Sequence, residues 1–143
     1  MKKVLIINGP NLNMLGKRPK EHYGSLTLDE INKLIEKENN NYFNLEFFQS
    51  NSEGDIVTKI QEAVLNETDA IIINPAAYTH TSVAIHDALE IFNGKKIEVH
   101  LSHVDEREDF RKVNFVRDVS DICFSGKLDK SYTEAIAYLK KIL

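Results

Sequence analysis

Glu98 and His100 stand two positions apart in the apolar run Ile97–Leu101. On a strand, side chains two apart share a face, so the carboxylate can orient or charge the imidazole and make His100 a proton donor. The alternative is a histidine satisfied by backbone at a strand end. The candidate partner is Tyr23 with Arg18, both within the stretch GPNLNMLGKRPKEHYG from Gly9 to Gly24. A free tyrosine, with a pKa near ~10, is a poor base at neutral pH. A guanidinium within a few ångströms favours the phenolate. Lowering the phenol by about two pH units asks for nearly ~3 kcal/mol, within reach of a desolvated charge pair under a closed lid. The alternative is a tyrosine and an arginine exposed on a loop. An acid and a base of these types fit general acid–base catalysis without a cofactor.

The stretch that carries Arg18 and Tyr23 follows the apolar run Val4–Ile7 and precedes a helix signal at Thr27. A strand-to-helix turn in a compact α/β unit needs only about two to six residues. This one is far longer, and loops of that kind are usually lids or binding loops. Gly9 to Asn13 is expected to line a site. About Leu15 to Gly24 is expected to move, with Gly16 and Gly24 as hinges, so that closure also delivers the base.

Strand and helix signals alternate along the whole chain. Apolar or β-branched runs lie at Val4–Ile7, Leu45–Phe48, Ala70–Ile73, Ile97–Leu101 and Ile122–Phe124. Between them, Thr27-Leu28-Asp29-Glu30 reads as a capping box, followed by Leu28, Ile31 and Ile35 at helical spacing. A second helix is expected from about Gly54 to Leu65, and a third from Thr81 to Phe92 with Gly94 placed to stop it. A short polar helix is expected over Asp105–Arg111, and a last helix from Ser131 with Glu134 three residues on. Such alternation implies right-handed crossovers and a parallel sheet covered on both faces. Near-continuous apolar strands agree with burial on both sides. The expected architecture is one catalytic domain over residues 1–143, a flavodoxin-like three-layer sandwich with strand order 2-1-3-4-5.

In such sheets ligands bind beyond the carboxyl ends of the strands. The residues there are Asn8-Gly9-Pro10-Asn11, Gln49-Ser50-Asn51-Ser52-Glu53, Asn74 to His80, and His100-Leu101-Ser102-His103 with Arg107 and Arg111 shortly after. Asn11, Asn74, His80, His100, Ser102 and Arg111 thus gather on one rim, offering amides, hydroxyls, imidazoles and guanidinium groups. That inventory suits a small, oxygen-rich anion. Pro10 and Leu12 stand where a phosphate cradle would want Gly, Ser or Thr, which argues against nucleotide binding. Asn11 and Asn74 occupy the places where a phosphoacceptor receiver needs acids. A metal site from His100 with His103, or His80 with His86, is poorly supported, because residues three apart on a strand face opposite ways and residues six apart on a helix lie far around it.

Hydrophobic and charged fractions of 42% and 28% in 143 residues are those of an ordinary globular protein. The formal net charge of −4 argues against nucleic-acid or anionic-membrane surfaces. The single cysteine, Cys123, leaves no internal disulfide and reads as a small buried hydrophobe. The apolar run after Met1-Lys2-Lys3 is too short for a signal peptide or a membrane span, so a soluble, cytoplasmic protein is expected.

Gly9-Pro-Asn-Leu-Asn-Met-Leu-Gly16, Arg18 with Tyr23-Gly24, Gln49-Ser-Asn-Ser-Glu-Gly54, Asn74-Pro-Ala-Ala-Tyr-Thr-His-Thr-Ser82, Glu98-Val-His-Leu-Ser102 and Arg107-Glu-Asp-Phe-Arg111 together resemble the type II 3-dehydroquinate dehydratases. The resemblance spans nearly the whole chain in order. It implies a flavodoxin-like fold, no cofactor, no metal, and a homo-dodecamer built as a tetramer of trimers. The implied reaction removes water from 3-dehydroquinate in the shikimate pathway by anti elimination through an enolate. By position, Tyr23 is implied as the base at C2, Arg18 as the group that lowers its pKa, and His100 as the acid at the C1 hydroxyl. Asn11 is implied to stabilise the enolate oxygen through a water, and Glu98 to support His100. Asn74 and the backbone amides of Leu101 and Ser102 are implied to hold the carboxylate, with His80 and Arg111 at the ring hydroxyls. Asp87 of a neighbouring subunit is implied to close the site. The chain departs from the family's usual pattern at Pro19, at His103, at Asn114-Phe115 and beyond Phe124. The alternative from another class is a non-catalytic module that binds a small ligand on the same fold. A third reading, a histidine-based metal-dependent hydrolase, is the weakest.

Overall fold

The computed structural model describes residues 1–143, the side chain of Asp105 excepted. Five strands, β1 (Lys3–Asn8), β2 (Asn44–Gln49), β3 (Ala70–Asn74), β4 (Lys95–Val99) and β5 (Ile122–Phe124), pair in parallel in the order β2-β1-β3-β4-β5. The flavodoxin-like α/β topology expected from the alternation is therefore the one present. Successive side chains of β1 serve opposite faces: Val4 and Ile6 join one core, Leu5 and Ile7 the other. Strand β3 divides likewise, Ile72 to one side and Ile71 and Ile73 to the other. A continuous apolar run is what burial on both faces demands.

Four long helices cover the faces: α2 (Leu28–Asn39) and α5 (Lys130–Ile142) on one, α3 (Glu53–Leu65) and α4 (Val83–Ile91) on the other. The capping box at α2 forms as expected, Thr27 Oγ1 accepting from the Glu30 amide while the Glu30 carboxylate accepts from the Thr27 amide. Ser52 and Ser82 cap α3 and α4 from one side only, their hydroxyls accepting from the Asp55 and Ile85 amides. Among the described residues, no helix is long and apolar enough to cross a membrane.

Several local expectations are corrected. The last helix starts at Lys130, and Ser131 is buried inside it, its Oγ accepting from the Lys127 amide. Glu134 pairs with the Lys127 ammonium and caps nothing. Gly94 does not stop α4, which ends as Phe92 turns extended. Gly94 instead allows close approach, since a Cβ there would lie 2.5 Å from the Asp69 carbonyl oxygen. The third helix begins at Val83; of its expected first residues, Thr81 closes a separate 3₁₀ segment, Ala76–His80, and Ser82 is the N-cap. No continuous helix spans Asp105–Arg111. Two 3₁₀ turns, Val104–Glu106 and Asp109–Lys112, are separated by Arg107 and Glu108, where the backbone leaves the helical region and Glu108 is extended. Nor is the long first loop featureless, for it holds a 3₁₀ turn at Leu12–Met14 and the four-residue α1 (Lys20–Tyr23). Gly16 and Gly24, the expected hinges, both sit at positive φ, 95° and 74°. Strand β4 ends one residue earlier than expected for His100 to lie within it, but the His100 amide still donates to the Phe124 carbonyl at 3.0 Å.

The ends of β1 and β3 are bound together at Gly9, whose amide donates to the Asn74 carbonyl at 2.8 Å. A Cβ on residue 9 would come within 2.7 Å of the Pro75 carbonyl carbon, and backbone cannot swing aside as a side chain can. Gly9→Ala is therefore expected to lower stability by about 1–3 kcal/mol, read as a lower urea midpoint at unchanged m-value. An unaltered midpoint would show that the two strand ends can part freely.

Candidate active site

The carboxyl ends of β1, β3 and β4 open into a cavity of about 110 Å³. Asn11, Asn74, His80, His100, Ser102 and Arg111, the six rim residues expected from the strand ends, all line it, with Leu101 between them. Arg18 and Tyr23 reach it from the long first loop. The fold thus brings together residues spread over most of the chain.

Tyr23 is 8% exposed, so the loop carrying it lies against the body of the protein. Arg18 stacks on the phenol with its Cζ 3.6 Å from the ring centroid, a cation–π contact. The hydroxyl itself is held by a second arginine: Arg107 Nη1 donates to Tyr23 Oη at 2.7 Å. Arg107 was not among the candidate site residues, although it was noted beyond β4. Burial lowers the Arg18 pKa against the raising influence of Tyr23, and the charges of Arg107 and Arg111 lower it further. Two guanidinium groups thus meet one phenol, Arg107 at its oxygen and Arg18 over its ring. Arg107 Nε is buried without a hydrogen-bond partner, its neighbour Glu108 standing off at 3.7 Å.

Glu98 and His100 do share a face. Their atoms Oε2 and Nε2 are 2.5 Å apart, and both side chains are buried. Two further donors meet the same carboxylate: Asn114 Nδ2 reaches Oε2 at 2.7 Å and Arg117 Nε reaches Oε1 at 2.7 Å. Burial pushes the Glu98 pKa up, but the hydrogen bonds from His100, Arg117 and Asn114 and the charge of His100 outweigh it and bring it down to about 2. An ionised carboxylate only accepts, so His100 Nε2 carries a proton and Nδ1 is the ring nitrogen left over. Nothing in the sequence pattern pointed to Arg117. Its partner lies across the sheet, and no periodicity links them.

His80 donates from Nδ1 to the Val113 carbonyl at 2.6 Å. Burial lowers its pKa, with Arg111 and His100 adding to the effect. The neutral ring then has its Nε2 lone pair left over to accept from a hydroxyl. Asn11 adopts the left-handed region, φ 69°, which asparagine tolerates better than most residues. Its amide is anchored by Asn51 Oδ1 at 3.0 Å, and Tyr78 Oη in turn holds the Asn51 carbonyl at 2.6 Å. The end of β2 therefore braces the site without lining it. Asp87 lies exposed on α4, bonded to His86 at 3.0 Å and outside this cavity.

Among the described residues, no carboxylate lines the cavity, while three guanidinium groups do. Glu98, His100 and Cys123 come close enough to hold a metal ion. The Glu98 oxygens are already engaged by three donors. Burial, reinforced by the Glu98 charge, pushes the Cys123 thiol up to about 12, which keeps it protonated and unlike a ligand. His86, Asp87 and Glu90 form a second close group, on the exposed side of α4. The arrangement as a whole is a small cationic pocket with a polarised phenol and an imidazole backed by a buried anion. It is the kind of site that binds a carboxylate and moves protons.

Comparison with known proteins agrees. A flavodoxin-like α/β protein with a proton-transfer site at its strand ends is the class that fold and pocket define. The chain matches the family described as Dehydroquinase class II over residues 2–140. It is 49% identical to a 3-dehydroquinate dehydratase of Caldicellulosiruptor bescii over 144 residues, covering 100% of this chain and 99% of that protein. It is 48% identical to that of Francisella philomiragia, covering 95% of each. The type II dehydroquinase of Butyrivibrio crossotus superposes with a TM-score of 0.93 at 46% identity, covering 97% of each chain. That of Propionibacterium acnes gives 0.93 at 33% identity, covering 99% of this chain and 97% of the other. The chain belongs to the class II dehydroquinase family.

The Glu98 pKa makes a prediction about acid. A group whose folded-state pKa lies below its ordinary value, here about 2 against 4.5, adds stability above the ordinary value and loses it as pH falls towards the folded one. The wild-type protein should therefore lose stability across that window more steeply than Glu98→Gln. Urea midpoints measured through the window test this, and parallel curves for the two proteins would contradict it.

Proposed function

We propose that this protein is a type II 3-dehydroquinate dehydratase, residues 1–143 forming one catalytic unit that removes water from 3-dehydroquinate to give 3-dehydroshikimate. The observation that carries the reading is the Tyr23 hydroxyl, held at 2.7 Å by Arg107 under the stacked Arg18, in the same pocket as a His100 bonded to an ionised Glu98. A base and an acid are thereby present together, and the cationic lining suits a substrate carboxylate. The relatives that match along the full chain bear the same activity in their names.

In this reading the Tyr23 phenolate takes the proton from C2, and the electron pair of that C–H bond passes into an enolate on the neighbouring carbonyl. Asn11 steadies the enolate oxygen through a water. The enolate then collapses, the C1–C2 double bond forms, and the C1 hydroxyl leaves from the opposite face as water. His100 supplies the proton it needs. Because Nε2–H is committed to Glu98, the proton is given from Nδ1, so the acid is the imidazolium, and the buried Glu98 charge is what sustains it. Asn74 with the Leu101 and Ser102 amides holds the carboxylate. Arg111 and the acceptor nitrogen of His80 meet the ring hydroxyls. Neither a metal nor a cofactor takes part. Asp87 closes the site of a neighbouring subunit within a dodecamer of four trimers, and the enzyme works in the cytoplasm in the shikimate pathway.

Appearance of the conjugated product's absorbance on adding 3-dehydroquinate tests the activity directly. Tyr23→Phe should reduce turnover about a thousandfold while substrate still binds. Full activity in that variant would falsify the assignment of the base. Arg107→Ala removes the donor at the Tyr23 hydroxyl and should lower kcat by roughly tenfold or more with a smaller change in KM. A loss confined to KM would assign Arg107 to binding instead.

A further inference from the structure

Three buried polar side chains run beneath the floor of the pocket, from β1 through α5 to β3. Asn8, Tyr132 and Asn74 are 1%, 1% and 3% exposed. Tyr132 Oη lies 2.5 Å from Asn8 Oδ1 and 2.9 Å from Asn74 Nδ2, and Asn74 Oδ1 lies 3.1 Å from the Ala76 amide nitrogen. Each direction in this chain is forced. A backbone N–H only donates, so the Asn74 atom facing Ala76 is the oxygen, and the amide nitrogen faces the other way. That nitrogen can only donate to Tyr132, so the hydroxyl accepts there and its one proton goes to Asn8. Burial pushes the Tyr132 pKa up, which keeps that proton in place. The start of the relay is held by backbone strain: Ala76 sits at φ 53°, a left-handed conformation costing an alanine about 1 kcal/mol.

The consequence appears at the pocket. The oxygen of Asn74 accepts from Ala76 and one of its two amide protons goes to Tyr132, which leaves the other proton for a ligand. We propose that Tyr132 is a positioning residue that acts through Asn74, holding the nitrogen end of the amide that Ala76 has oriented, so that its second N–H stays aimed at the substrate's carboxylate. Tyr132 lines no part of the cavity and has no role in the chemistry above. Without it, the amide keeps only the Ala76 tether at its oxygen, and the remaining donor is no longer held in line with the carboxylate. The inference rests on the reading of Asn74 as a carboxylate-binding residue.

Tyr132→Phe keeps the ring and removes the hydroxyl. KM for 3-dehydroquinate should rise about tenfold, the loss of one oriented hydrogen bond, with a smaller change in kcat. In a double-mutant cycle the KM of Tyr132→Phe combined with Asn74→Ala should equal that of Asn74→Ala alone, because Tyr132 acts on binding only through that amide. A merely structural role would instead multiply the two penalties, and that result overturns the inference. So does an unchanged KM in Tyr132→Phe when Asn74→Ala raises it. If Asn74→Ala itself leaves KM unaltered, the carboxylate assignment is what fails, and the inference fails with it. Should Tyr132→Phe not fold, Asn8→Ala supplies the same test. With its acceptor gone, the Tyr132 hydroxyl is no longer fixed in rotation, its hold on the Asn74 nitrogen loosens, and KM should rise in the same direction; an unchanged KM again overturns the inference.

Discussion

Parallel pairing of β1, β3 and β4 is the constraint from which the site follows. Asn8 lies opposite Asn74 in the ladder, and Ile73 opposite Glu98, so polar residues enter the three strands within one residue of the same level. Past that level the sheet no longer needs to bury side chains on both faces. The amides and the imidazole that stand there are still buried, and their hydrogen bonds to one another and to neighbouring groups offset the desolvation cost. The strand ends are then tied to one another by Gly9, by the Asn8–Tyr132–Asn74 relay and by the continuation of the ladder from His100 to Phe124. A pocket floor built from hydrogen-bonded strand ends is stiffer than one built from free loops, which suits a site that must hold donors in fixed directions.

The charges are arranged with the same economy. One carboxylate is wholly buried, and it is ionised because three donors converge on it. It sits behind His100, outside the pocket lining, where it can support a positive imidazole without repelling an anionic ligand. The guanidinium groups stand on the other side, facing the ligand space and the phenol. Removing Arg117 or Asn114 would leave Glu98 buried with fewer partners, and the desolvation cost of an unpaired buried charge exceeds the modest gain of any one hydrogen bond. The Glu98 cluster is thus a structural element of the core as well as a support for the site.

Legibility in the sequence divides along a physical line. The capping box at Thr27 and Glu30 was readable because both partners lie within one turn, and local geometry closes it. At Ser131 and Glu134 the same spacing failed, since the tertiary packing of α5 turned the serine inward to Lys127 and drew the glutamate to the lysine ammonium. The polar helix expected over Asp105–Arg111 failed for a related reason: the chain breaks at Arg107, whose side chain is used against Tyr23. Arg18, Arg107 and Arg111 look alike in sequence, and nothing local says which one will meet the phenol. Arg107 lies 84 positions from Tyr23 and Arg117 lies 19 from Glu98.

By itself, then, the sequence determined the sheet, its order, the rim at which polar residues gather and the shared face of Glu98 and His100. These depend on periodicities of two and of 3.6 residues and on where apolar runs stop, all of which are local. Only the tertiary structure decided which guanidinium holds the Tyr23 hydroxyl, which donors keep Glu98 ionised and which way the Asn74 amide points. Those are matters of distance and direction between groups on separate strands, helices and loops. A hydrogen bond is sensitive to a fraction of an ångström, whereas a sequence pattern specifies only which face a side chain is on.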